Sequence, residues 1–330
     1  MAAYGIPNIE EKIRQQLKKL GLMALTSVEK VLSDPTCHSY FTICQGKKGK
    51  FFFKARISAL EKERTRARRE IGFLAKLAEL EDFRLPSLTF RLLDYQIGDF
   101  DWFLAEFLEG KNMGSREILD KTSLSLAHLP AVMDIFFALR EIPEDFLRFK
   151  DQKIPPLEKH DALFYQRQVQ DFLASPECCD MLSENEIEKI EEIFSCKDHL
   201  DLLDKSCHTL SHGDFQPPNL FLTKKSLKIV DWDQVHLDNP VFDAAFFWTH
   251  LWSRPKLRNA FWRKWLNASL EKEEVKSLFK LSSILLLLVQ VVSLNGFLKY
   301  QKERMIPSEL ERRRRALKIH LSTLSSILYN

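Results

Sequence analysis

Three polar side chains stand at fixed spacing in the run His212-Gly213-Asp214-Phe215-Gln216-Pro217-Pro218-Asn219, which continues through Leu220-Phe221-Leu222 to Leu227-Lys228-Ile229-Val230-Asp231. Asp214 is suited to orienting an acceptor hydroxyl and taking its proton. Asn219 and Asp231 offer an amide oxygen and a carboxylate, donors that hold Mg²⁺ against the phosphates of a nucleotide. Phosphoryl transfer is mostly positioning and charge neutralisation, so a set this small is enough. Residues 219–223 and 227–231 are apolar, β-rich runs on either side of Thr223-Lys224-Lys225-Ser226, which reads as a hairpin. Asn219 would enter its first strand and Asp231 leave its second, both converging on one cation at the same end. The plainer alternative is a buried loop with an Asx turn at Asp214 and two incidental polar residues.

Those residues need a scaffold, and the rest of the chain supplies its pattern. Ile9, Ile13, Leu17 and Leu20, closed by Gly21, predict a short amphipathic helix over 8–20. Val28 and Val31, then Tyr40, Thr42 and Cys44, then Phe51 and Phe53 predict three antiparallel strands over 27–57, broken at Asp34-Pro35 and Gly46–Gly49. A long helix follows from Ala59 to Glu79, then strands at 88–96 and 102–107 joined at Gly98-Asp99. Beyond the linker at 105–110 nearly everything reads as helix except the 210–231 block. This is the order of a two-lobed α+β fold: an N-terminal lobe over 1–107 with a five-stranded antiparallel sheet and one long helix, and a larger, mostly helical lobe over 108–330. The nucleotide would lie in the cleft between them.

On the nucleotide side, Lys54 closes the third strand in Phe51-Phe52-Phe53-Lys54. A strand-borne lysine can pair with the α- and β-phosphates when an acid holds it. Glu70, on the edge of the Ala67, Ile71, Leu74, Ala78 stripe, is the expected partner, with Glu63 as second choice. The plainer reading makes both ordinary surface charges. Between the first two strands, Ser33-Asp34-Pro35-Thr36-Cys37-His38-Ser39-Tyr40 contains no Gly, whereas protein kinases cover the phosphates with a Gly-rich loop. Backbone amides and the hydroxyls of Ser33, Thr36 or Ser39 would have to substitute.

Composition narrows the classes. The chain has 330 residues, 45% hydrophobic and 29% charged, as expected for a soluble enzyme of one large domain or two lobes. A net charge of +3 is too small to argue for nucleic acid or membrane as partner. The clusters Arg64–Arg69 and Arg312–Arg315 sit in helical patterns and read as solvated faces. The 6 cysteines form no Cys-x-x-Cys pair and have no histidine at zinc-ligand spacing, which fits free thiols and a cytoplasmic location. The opening residues lack the pattern of a signal peptide. The apolar run Leu281–Leu294 is short for a bilayer span and reads as a buried helix.

At His212-Gly213-Asp214, Asn219, Asp231-Trp232-Asp233, Asp238-Asn239-Pro240 and Asp243-Ala244-Ala245 the chain resembles the aminoglycoside phosphotransferase and choline kinase-like family, a branch of the protein-kinase-like fold. The resemblance implies Asp214 as catalytic base, Asn219 and Asp231 as metal ligands, and Asp243 as the brace of the catalytic loop. It implies a hinge at 105–110 in which the carbonyl of Glu106 and the amide of Leu108 bind the adenine edge, and it places Gln216 near the γ-phosphate. The function it implies is transfer of the γ-phosphoryl group of ATP, with GTP as the alternative donor and Mg²⁺ as cofactor, to a hydroxyl of a small molecule: an amino alcohol, aminoglycoside, sugar or similar. The match thins towards the N-terminus and along much of the C-terminal half.

The acceptor is less legible. Residues 150–207 carry Glu177, Asp180, Glu184, Glu186, Glu188, Glu191, Glu192, Asp198, Asp201 and Asp204. A cationic acceptor would suit them; solvated helix faces are the plainer reading. Trp248, Trp252, Trp262 and Trp265 could cage a cation, yet their spacing fits core packing better. His160 and His250 read as structural or exposed. Two rival classes remain. A catalytically silent kinase-fold binding or scaffold protein would explain the Gly-free loop. A protein kinase is disfavoured by the His-Gly-Asp form of the loop and the missing Ala-Pro-Glu segment.

Overall fold

The structure is a computed structural model that describes residues 9–34, 37–58, 60–80, 82–98, 100–115, 120–149, 151–269, 271–301, 303 and 305–329. The chain divides into two compact units. The first comprises Met1–Gly110, Asp145–Leu157 and Thr223–Val235; the second comprises Lys111–Glu144, Glu158–Leu222 and His236–Asn330.

In the first unit, helix α1 (Ile9–Lys19) buries Ile13 and Leu17, one turn apart. Strands β1 (Met23–Ala24), β2 (Glu29–Asp34), β3 (Cys37–Gly46), β4 (Gly49–Ser58), β5 (Leu92–Gln96) and β6 (Asp101–Glu106) form one sheet in the order β1-β3-β4-β6-β5, with β2 also paired to β3. All the pairings are antiparallel. The five expected strands are present, and the two-residue β1, too short to show any periodicity, extends the sheet. Gly46 pairs with Gly49 across the β3–β4 turn, where Gly49 takes φ +125°, closed to residues with a Cβ. The strand expected over 88–96 starts only at Leu92. Pro86 fixes a 3₁₀ turn over Leu85–Leu88 instead.

Alternation along β4 sorts its side chains to two faces. Phe53 and Ala55 join Ile13, Leu17, Tyr40, Cys44, Trp102 and Leu104 in a buried cluster. Phe52, Lys54 and Arg56 therefore point to the other face, and helix α2 (Glu61–Leu77) supplies the partners there. That helix buries Ala67, Glu70, Ile71, Phe73, Leu74 and Leu77. Its Gly72 meets Ile154 so closely that a Cβ would stand 2.3 Å from Ile154 Cγ2.

The second unit starts at Lys111, within strand β7 (Gly110–Asn112), and is mostly helical: α3 (Leu129–Arg140), α4 (Ala162–Leu173), α5 (Pro176–Cys179), α6 (Glu184–Ser195) and α7 (Lys197–Ser206) precede the motif-bearing segment. That segment runs through β8 (Thr209–Ser211), a 3₁₀ turn at Pro217–Asn219, β9 (Leu220–Thr223), β10 (Leu227–Ile229, in the first unit) and β11 (His236–Asp238). Helices α8 (Phe242–His250), α9 (Pro255–Ala268), α10 (Lys272–Tyr300) and α11 (Pro307–Tyr329) complete the chain. Strand β11 pairs antiparallel with β8, Leu237 opposite Leu210. The apolar run 281–294 lies within α10, which extends it to 29 residues because the flanking Lys and Glu residues are good helix formers. It is long and apolar enough to cross a membrane, but its apolar window is 61% buried within the protein. The acidic Glu184, Glu188, Glu191, Glu192, Asp198, Asp201 and Asp204 are exposed, the pattern of solvated helix faces.

Candidate active site

The site residues fall into one group in each unit. In the first unit, Lys54 Nζ donates to both oxygens of Glu70 (2.9 Å each) and to Asp231 Oδ1 (2.8 Å). Glu70 is 2% exposed, so only a cation could make its carboxylate tolerable there. Burial opposes the charge on Lys54, but Asp231, Glu70 and Asp233 outweigh it and lift its pKa above the ordinary lysine value. Burial likewise lifts the carboxyl of Glu70, with Lys54 as the main opposing charge. The two short bonds from Lys54 favour its ionised form.

Asp231 has φ +71°, the only non-glycine residue in the left-handed region among the described residues. This explains why the strand expected over 227–231 ends at Ile229: a left-handed residue cannot continue a β-strand. Its neighbour holds it in place. Trp232 is fully buried, donates from Nε1 to Thr89 Oγ1 (2.9 Å) and packs on Phe73 of α2; Thr89 in turn donates to the carbonyl of Ile229 (2.8 Å). Backbone strain fixed by such packing is characteristic of functional sites. Asp233 accepts from Arg56 Nη2 (2.7 Å), and Arg56 Nε donates to Ser39 Oγ (3.1 Å). Arg56 was missed in the sequence, although period-two alternation from Lys54 points to it. Of the loop hydroxyls proposed to substitute for glycines, Thr36 and the side chain of Ser33 lie outside the described residues.

The hinge residues close β6. Glu106 donates its amide to the carbonyl of Arg91 (3.0 Å), and its carboxylate accepts the Arg91 amide (3.0 Å). Leu108 is half-buried in the extended stretch that follows.

In the second unit, Asp214 is gripped from its own loop. Asn219 Nδ2 donates to its carboxylate Oδ2 (2.7 Å) and to its carbonyl (2.8 Å), while Gln216 Nε2 donates to Oδ1 (2.7 Å). Asn219 is fully buried at the end of the 3₁₀ turn, which the rings of Pro217 and Pro218 impose; it precedes β9 rather than entering it. Asn112 donates to the Pro218 carbonyl, and a Cβ on Gly114 would stand 2.7 Å from the Pro218 nitrogen, so the segment after β7 clamps this turn.

Asp243, in the first turn of α8, accepts from Ser211 Oγ (3.0 Å), the His212 amide (2.7 Å) and the Gly213 amide (3.0 Å). Gly213 has φ +79°, which turns the chain so that both amides reach one carboxylate. Burial raises the Asp243 carboxyl above its ordinary value, against the lowering effect of His212 and these amides. His212 is fully buried, and its Nδ1 accepts the Asp214 amide (3.2 Å). Asp243 itself is fixed by the turn before α8. Asn239 Oδ1 accepts the Val241 amide (2.9 Å), while Asn239 Nδ2 donates to Tyr165 Oη (2.8 Å). Tyr165 donates to Asp238 Oδ1 (2.8 Å), whose Oδ2 contacts His160 Nδ1 (3.0 Å). His160 is thus a structural residue, pushed down to about 4 by burial and by His236. This is the structural half of the sequence reading; its partner could not be named there, because Asp238 lies far along the chain.

Two of the four candidate tryptophans already carry cations of the chain itself. The guanidinium carbon of Arg140 lies 4.5 Å from the Trp265 ring centroid and that of Arg258 lies 3.3 Å from Trp248. Trp262 instead stacks on Phe279 (3.9 Å).

Residues 44–276 match the model of the phosphotransferase enzyme family. No curated protein sequence matches the chain. Among solved structures it is similar to a macrolide 2'-phosphotransferase type I, at 13% identity and a TM-score of 0.57, over 96% of this chain and 99% of the other. It is similar to the choline kinase LicA from Streptococcus pneumoniae at 14% identity and a TM-score of 0.54, over 95% and 99%. A thermostable aminoglycoside phosphotransferase APH(4)-Ia mutant, in ternary complex with ADP and hygromycin B, matches at 12% identity and a TM-score of 0.53, over 96% and 98%. These likenesses establish the protein-kinase-like fold.

Proposed function

Because the chain belongs to the phosphotransferase enzyme family, with the fold of small-molecule phosphotransferases, we propose that it moves the γ-phosphoryl group of ATP, with Mg²⁺, onto a hydroxyl of a small molecule. The observation that carries this reading is the double fixation of Asp214 by Asn219 and Gln216, on a backbone braced by Asp243. A carboxylate held this way is preorganised to receive a hydroxyl proton and has little freedom to lose when the acceptor arrives.

The donors fit Mg²⁺: Asn219 and Asp231 supply an amide oxygen and a carboxylate, the hard oxygen ligands this ion prefers. Held there by Asn219 and Asp231, such an ion would supply neutralisation of phosphate negative charge. Lys54, kept charged by Glu70 and Asp231, exchanges part of that pairing for the α- and β-phosphates. Glu70 fixes where the ammonium sits, and the backbone groups of Glu106 and Leu108 take the adenine edge. Asp214 accepts the proton of the acceptor hydroxyl as that hydroxyl oxygen bonds to the γ-phosphorus and the bond from the γ-phosphorus to the β,γ-bridging oxygen breaks, releasing ADP. Free thiols at Cys44, Cys178, Cys179, Cys196 and Cys207 fit a cytoplasmic enzyme.

ATP turnover over a panel of alcohols and amino alcohols tests the assignment. Asp214→Asn should lower kcat by about 10²–10⁴ with KM for ATP little changed. Full activity in that variant refutes the role of Asp214. Stabilisation by ATP that does not depend on Mg²⁺, with no turnover of any acceptor, supports the binding-protein alternative instead.

A further inference from the structure

The inward stripe of α9 reads Leu257, Arg258, Phe261, Trp265, and that of α11 reads Ala316, Leu317, His320, Leu324, Leu328. One position on each stripe is a basic residue where packing alone asks for an apolar one. Arg258 is 9% exposed and His320 2%. Among the described residues, Arg258 Nε and Nη2 and His320 Nδ1 are buried with no hydrogen-bond partner. Buried polar atoms without partners are rare because each forfeits its hydration without return.

The immediate neighbours do not resolve the deficit. The Trp248 ring covers the face of the Arg258 guanidinium at 3.3 Å. Guanidinium N–H groups lie in the plane of the group, so a ring on its face attracts the charge but accepts none of these bonds. His250, the other basic group in this region, is already engaged. Its Nδ1 pairs with the Phe246 carbonyl (2.9 Å) and its Nε2 with Gln290 Nε2 (3.4 Å). Burial pushes Arg258 down to about 10, and burial with the positive influence of His250 and Arg258 pushes His320 down to about 3. Among the described residues, neither Arg258 nor His320 makes an ion pair with a carboxylate within 4.0 Å.

Nε and Nη2 are the edge of arginine that matches two oxygens of one carboxylate or phosphate. We propose that this edge of Arg258, with His320 Nδ1, is a receptor for a small oxyanion: a carboxylate or a phosphate group. The ion is either free or the anionic group of the acceptor alcohol; the second case rests on the phosphotransferase reading, the first does not.

The test uses the full chain without nucleotide, melted in phosphate, sulfate or acetate against chloride at matched ionic strength. Wild type should gain roughly 3–8 °C at about a hundredfold excess over Kd. Arg258→Met should show no gain, and Arg258→Lys, which keeps a charge but loses the fork, a smaller one. If Arg258→Met does not fold, His320→Phe serves in its place and should show a reduced gain. Equal melting in oxyanion and chloride overturns the proposal, and so does a gain that survives Arg258→Met. Turnover separates the two sources. If the acceptor carries the anion, Arg258→Met raises KM for carboxylate- or phosphate-bearing alcohols about 10–100-fold and leaves KM for ATP unchanged; if the ion is free, neither KM follows the acceptor's charge. Loss of all turnover in wild type would refute the phosphotransferase reading while leaving the melting result intact.

Discussion

Lys54→Met isolates the electrostatics of the first unit's site. Lysine and methionine are similar in length, so the change removes charge with little change in packing. Two carboxylates lose their cation, but unequally. The Asp231 side chain is 21% exposed and can turn to water, whereas Glu70 is 2% exposed and cannot. The cost therefore falls mainly on Glu70, at about 3–5 kcal/mol for a buried charge left without its partner. In a melt this is roughly 5–12 °C. The pH dependence carries the sign of the effect. With Lys54 gone, burial holds the folded pKa of Glu70 above its unfolded value of about 4.3. The folded state then binds more protons than the unfolded one, so the penalty is complete above the folded pKa and fades as pH falls towards about 4.3. Urea titrations of wild type, Lys54→Met and Lys54→Met with Glu70→Gln, run at several pH values, test this. The double variant should recover at least half the loss and lose the acid-side recovery. A Lys54→Met variant that loses less than about 1 kcal/mol, with the wild-type pH profile, would show that Glu70 does not depend on this cation.

Other perturbations follow from the same geometry. Asp243→Ala removes the shared acceptor of Ser211, His212 and Gly213 and should cost about 3–5 kcal/mol in denaturant titration. Asp243→Asn, which keeps one acceptor oxygen, should cost about 1–3 kcal/mol and lower kcat more than it raises KM for ATP. Asp231→Gly and Asp231→Ala both delete the carboxylate and should both abolish Mg²⁺-dependent turnover, but the alanine variant should be less stable by about 1–2 kcal/mol because only glycine relaxes at φ +71°. Equal stability would show that the left-handed backbone stores no strain. Gly72→Ala should destabilise by about 1–3 kcal/mol, and adding Ile154→Ala, which removes the clashing methyl, should recover part of that. Strict additivity of the two changes would disprove the contact.

The sheet and its long helix were legible in the sequence because alternation in β4 and the apolar stripe of α2 span whole elements; that periodicity put Glu70 on the edge of the stripe, and the pairing rule of kinase-like sites joined it to Lys54. Features that depend on one or two residues were not. Three-residue strands such as β8 and β11 are too short for a period to show. The early end of β10 follows from the backbone of Asp231, which its residue type does not announce. The Tyr165–Asp238–His160 network joins positions far apart in the chain, so no local pattern marks it. The sequence does not single out Arg258 and His320, because a lone basic residue within an apolar stripe resembles an ordinary helix-edge charge until its burial is known.

The first unit is assembled from three separated stretches of chain, and that sets an order of events during synthesis. Helix α2 emerges from the ribosome well before Ile154, which meets Gly72, and long before Trp232, which packs on Phe73. Until then the nascent domain displays an uncovered greasy face and waits for its last pieces. Long-range closure of this kind is slow and favours transient association with other chains. Ending translation before residue 235 should therefore leave a product that sticks to chaperones rather than a small autonomous domain.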